Sequence, residues 1–61
     1  MEEREEDYTI YEVETYYKSG RTRSECITAK NEKAMWKIYD ERHKRRKNLI
    51  EDSAIIDAWM Q

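Results

Sequence analysis

The chain contains no proline, no phenylalanine, one glycine, one cysteine and one histidine among its 61 residues. Each scarcity removes a class of function. Cys26 alone cannot form an internal disulfide, which excludes a disulfide-stapled secreted scaffold. One glycine cannot build a glycine-rich phosphate loop. Asp40 stands three residues before His43, a spacing that sets two metal ligands on one helix face, but no second histidine exists. Four cations follow directly, Lys44 to Lys47, and they disfavour a divalent ion. Cys26 and His43 would be the sole thiol–imidazole pair, and a lone strand cysteine is more often a small buried hydrophobe than a nucleophile. A non-enzymatic protein with no catalytic residue, no cofactor and no metal is expected. No apolar run approaches the roughly 18 residues of a membrane span. The opening Met1 to Asp7 is acidic where a signal peptide is basic, so a soluble, cytoplasmic protein without membrane contact is expected.

What is present is charge, and it is segregated. The formal net charge is only -2, yet residues 1–17 sum to -6, residues 18–47 to +7 and residues 48–61 to -3. Such asymmetry marks either an interaction surface or ends that neutralise each other in the fold or across a dimer. A chain of this length forms one domain, 1–61, with residues 1–6 expected to be a flexible acidic tail. A domain this small buries only about 60% of the surface its unfolded chain exposes. Below about 70–80 residues stable folds usually draw on a disulfide, a metal or a second subunit. With the first two disfavoured, a homodimer is expected.

From Asp7 to Tyr17 β-branched and aromatic residues predominate, which predicts a strand. Lys18-Ser19-Gly20-Arg21 supplies a hairpin turn around the only glycine, and Thr22 to Ala29 returns as a second strand. A three-residue loop sets Tyr11 opposite Ile27 and Thr9 opposite Ala29; a two-residue turn at Ser19-Gly20 sets Val13 opposite Cys26. Asn31 is a good N-cap, and Glu32 to about Lys47 reads as a helix with Ala34, Met35, Ile38 and Tyr39 as its apolar stripe. Lys37–Glu41, Asp40–Lys44 and Glu41–Arg45 are expected i,i+4 pairs on it. Leu49 to Gln61 alternates as a third strand would, although Asp52 or Ser53 is also placed to cap a short helix. A hairpin alone is marginal, and a third strand gives the helix a sheet to cover. The predicted class is therefore α+β with ββαβ order, ββαα being the alternative.

The candidate contact surface is the run Arg42-His43-Lys44-Arg45-Arg46-Lys47 at the end of that helix, with Trp36 and Tyr39 on its flank. Extended as a helical wheel, the run rings the helix end, Arg42, Arg45 and Arg46 continuing the Met35–Ile38 direction. Basic blocks bind phosphate backbones, and arginine forks accept the carboxylates of an acidic protein equally well. Aromatic residues beside cations serve either as stacking platforms for unpaired bases or as protein-interface anchors, unless they only rim the core. Four of the five tyrosines, Tyr8, Tyr11, Tyr16 and Tyr17, fall on the first strand, so the sheet face away from the helix is expected to be exposed or covered by another copy.

The hairpin around Lys18-Ser19-Gly20-Arg21, the helix entry Thr28-Ala29-Lys30-Asn31-Glu32 and the ending Ile55-Ile56-Asp57-Ala58-Trp59-Met60-Gln61 give the chain an architecture that resembles short proteins carried by bacteriophages and prophages. That group includes accessory and anti-defence proteins such as anti-CRISPR inhibitors. The resemblance implies an inhibitor that binds a host protein, or a protein–nucleic-acid complex, and occludes its working surface. A small RNA- or DNA-binding protein using the basic helix end is the second reading.

Overall fold

The computed structural model describes residues 8–60; the acidic tail expected at 1–6 lies outside them. Two strands, β1 (Thr9–Tyr17) and β2 (Thr22–Ala29), form the hairpin; α1 (Glu32–His43) follows, then 3₁₀ turns over Lys44–Leu49, then β3 (Ile50–Met60). The order ββαβ is the predicted one, and the C-terminal segment is a strand and not a second helix. The sheet runs β2-β1-β3, all neighbours antiparallel, with β1 in the centre. β2 and β3 are thus parallel to each other on either side of β1, and the chain must cross the sheet between them.

Of the two hairpin registers the three-residue loop is the one adopted: Tyr11 pairs with Ile27 and Thr9 with Ala29. The Tyr17 amide donates to the Arg21 carbonyl at 2.8 Å and the Gly20 amide to the Tyr17 carbonyl at 2.9 Å. Gly20 sits at φ +97, a conformation that side-chain-bearing residues rarely take. This register places Tyr11, Val13 and Thr15 of β1 on the same face as Ile27 and Ala29 of β2, and all five are buried.

α1 covers that face. Asn31 caps it as predicted, its side chain accepting from the Ala34 amide at 2.8 Å. Met35 (fully buried) and Tyr39 (3% exposed) enter the core, with Ala34, Ile38 and Trp36 packed around them. Inside, the Thr15 and Tyr39 hydroxyls bond to each other at 2.6 Å, so the one buried polar side chain of β1 is satisfied. Ile55 of β3 closes the core from the other side of β1.

The helix is shorter than predicted. It ends at His43, and Lys44 to Leu49 form tighter turns in which Arg46 (φ -118, ψ 20) leaves helical conformation. Two forces act here. Continued as α-helix, the run would set Arg42 against Arg45 and Arg46, and Lys44 against Lys47, at the destabilising i,i+3 and i,i+4 spacings. The chain must also come back to the sheet, because the Lys18 amide donates to the Leu49 carbonyl at 3.0 Å and Ile50 pairs with Tyr17. The expected Asp40–Lys44 and Glu41–Arg45 pairs are replaced accordingly: Asp40 holds Lys47 at 3.3 Å and Glu41 holds Lys44 at 3.9 Å.

β3 carries two extra residues against β1, Ile56 and Glu51, as bulges that bend and twist it. It is an edge strand with Ile56, Trp59 and Met60 exposed. The Ser53 amide donates to the Asp52 carboxylate and the Ala58 amide to the Asp57 carboxylate, both at 2.8 Å, which occupies donors that another strand would use. Among the described residues no helix is long and apolar enough to cross a membrane.

Candidate functional site

Because α1 starts where β2 ends and runs back along it, its C-terminus returns to the hairpin turn. A 12-residue helix is about 18 Å long. The eight residues of β2 extend about 26 Å. The helix therefore stops short of the turn, and the 3₁₀ turns cross above the uncovered end of the sheet. Tyr17, Arg21 and Arg23 lie there on the helix-side face, since Tyr17 bonds to Arg21 across the hairpin and Arg23 pairs with buried Thr15.

Three adjoining cavities open at this end, and Tyr17 and Arg23 line all of them. One, about 240 Å³, lies between the turn and the end of the 3₁₀ segment, with Arg21, Arg46 and Leu49 in its walls. A second, about 420 Å³, follows the basic run, with Arg42, Lys44, Arg45 and Arg46. The third, about 170 Å³, reaches Thr15, Glu25 and His43.

The predicted contact residues divide into those that belong to this end and those that do not. Arg45 and Arg46 are exposed and, like Lys18, Arg21 and Arg23, pair with no carboxylate among the described residues. Arg42 and His43 converge on Glu25 of β2, at 3.6 and 3.3 Å, which anchors the helix end to the sheet. Lys44 and Lys47 are exposed, and each makes a surface pair with a carboxylate of α1, Glu41 and Asp40 respectively, worth only about 0–1 kcal/mol. The run therefore does not ring one helix end: Arg42 and His43 are on α1, and the other four fan out along the 3₁₀ turns.

Tyr39 is a core residue, and its buried ring offers no stacking face to a ligand. Trp36 meets it edge-on with centroids 5.3 Å apart and donates its indole N–H to Glu32 at 3.3 Å, a turn from the helix start. His43 lies against the other side of Tyr39, centroids 4.3 Å apart. The aromatic flank is thus a column packed along the helix, part of the core's rim. Tyr17, Lys18, Arg21 and Arg23 were absent from the predicted surface. Their signal was topological: a helix between two parallel strands must deliver its C-terminus to the hairpin turn.

The opposite sheet face is acidic. Alternation from the buried positions sets Glu12, Glu14 and Tyr16 of β1 on it, with their β3 partners Asp57, Ala54 and Asp52. Glu12 stands directly across from Asp57, a like-charge pair that weakens the sheet locally. The Tyr16 hydroxyl donates to Glu14 at 2.7 Å. That bond to a carboxylate raises the phenol's pKa above the ordinary tyrosine value, and desolvation and the nearby charges of Glu14 and Asp52 act the same way. Cys26 is exposed on this face, opposite Glu12, and not the small buried hydrophobe expected of it. It lies across the sheet from Glu25, which holds His43, so the two residues form no dyad. Among the described residues no group of three or more histidine, cysteine or acidic side chains is placed to hold a metal ion.

The chain matches no family model, no curated protein and no solved structure.

Proposed function

We propose that this protein is a small, non-enzymatic binding module that docks its basic end on an acidic surface of a partner protein. The observation that carries this reading is the convergence of Arg21 and Arg23 from the hairpin with Arg45 and Arg46 from the 3₁₀ turns, none of them neutralised by a carboxylate among the described residues. Arginine forks bind carboxylates in bidentate geometry and lose less entropy per bond than lysine does. Partner protein is preferred to nucleic acid for two reasons. Tyr39 is buried and Trp36 sits toward the far end of the helix, so what remains at the basic end is half-buried Tyr17, one ring where a nucleic-acid strand would stack several bases. The carboxylates of the opposite face would repel a polyanion that wrapped the domain. The resemblance to small phage-borne inhibitors supports an occluding role, in which the basic end covers a host protein's working surface.

The test is affinity capture from host lysate with the wild type and with Arg23→Glu/Arg45→Glu/Arg46→Glu. A partner retained by the wild type and lost by the triple variant, with weaker binding as salt rises, is the expected result. Partners kept equally by both would remove the basic end from the reading. Saturable binding to random oligonucleotides, with no protein captured, would replace it with nucleic-acid binding.

A further inference from the structure

We infer that the cavity between the hairpin turn and the 3₁₀ segment is a binding site for a mononucleotide, a phosphate ester of a sugar that carries a planar base. Lys18, Arg21, Arg23 and Arg46 all line this space, and no carboxylate does. Four cations around about 240 Å³ repel one another, and an anion with several oxygens relieves that repulsion. A phosphate group matches the arginine forks in pairs. Ser19 adds a hydroxyl donor at the rim.

The rest of the lining is apolar. Tyr17 and half-exposed Leu49 form the walls, a flat surface and an aliphatic one, which a planar ring covers and a bare inorganic ion does not. The cavity, about 240 Å³, is at the small end of ligand sites and holds one small molecule at most. Backbone bonds fix the walls before any ligand arrives: Tyr17 to Arg21, Gly20 to Tyr17 and, joining the two walls, Lys18 to Leu49. The backbone of the walls is thus built in advance, and the ordering cost of binding falls on the exposed cationic side chains.

This site shares Arg21, Arg23 and Arg46 with the docking surface but does not rest on that reading, and its test uses the chain alone. Calorimetric titration with AMP should show saturable binding at one site. Inorganic phosphate should bind more weakly by about tenfold or more, and adenosine should not saturate. Arg23→Gln and Arg46→Gln should each weaken AMP by about tenfold or more, while Lys37→Gln, on the exposed side of α1, should leave it unchanged. Far-ultraviolet circular dichroism shows whether each variant is folded, and an amide chemical-shift map of the wild type reports the site independently of any variant. The inference is overturned by any of four results: no saturation with millimolar AMP, equal affinities for AMP and inorganic phosphate, shifts away from Tyr17–Arg23 and Arg46–Leu49, or folded arginine variants that bind as wild type. A decanucleotide that binds without displacing AMP places its contact elsewhere and supports the cavity as a mononucleotide site; one that binds while AMP does not overturns it.

Discussion

The Thr15–Tyr39 bond is a polar link through the core, and it joins the central strand to the helix. Removing one partner strands the other: Tyr39→Phe leaves a buried hydroxyl unpaired and should cost about 1–3 kcal/mol. Thr15→Val on that background removes the orphan, so urea denaturation of the double variant should recover part of the loss. A double variant as unstable as the sum of the two single ones would show that the bond is not what the pair contributes. Tyr16 allows a separate check. Its phenol is held neutral by Glu14, so in an alkaline absorbance titration one tyrosine should ionise above the ordinary range, and Glu14→Gln should bring it down. The fold favours the neutral form, so whatever stability this adds is complete below the ordinary tyrosine pKa and is lost as pH rises through the raised one. At this scale the sequence was most legible where one atom decides: Gly20 at positive φ and the Asn31 side chain on the Ala34 amide.

Elements follow from pattern, and they end where pattern meets competition. The strands and the apolar stripe Ala34, Met35, Ile38 and Tyr39 are where alternation and helical spacing put them. The helix terminus is not, because no glycine or proline marks it. Like-charge crowding from Arg42 onward was visible in the sequence, but the pull of Leu49 back to Lys18 is a tertiary constraint that the local residues do not encode. Cys26 was misplaced for a related reason, since either hairpin register was open and the face of every β2 side chain hung on that choice. The N-terminus of α1 depends on one cap, so Asn31→Ala should cost about 1 kcal/mol, read as a lower midpoint in thermal unfolding.

For the molecule as a whole, charge is sorted by direction in space as well as along the chain: arginines at the turn end, carboxylates on the face away from the helix. The site was only half legible, because its hairpin half is recruited by topology and its helix half by composition. The homodimer expected from size is proposed to use β3, whose Ile56, Trp59 and Met60 are exposed. Light scattering at micromolar concentration should give a mass above the 7.6 kDa of one chain, and Ile56→Ser/Trp59→Ser should return it to that value. A wild-type monomer throughout would end the proposal.

β1 is central only because residues 50–60 lie beside it. Before they dock, half of its backbone is bare, so a chain stopped at Leu49 is an unfinished sheet with a strand-shaped vacancy. Supplied in trans, a synthetic peptide of residues 50–60 should fill that vacancy and restore the circular dichroism of the intact fold. The domain would then serve as a split reporter, dark until its two pieces meet.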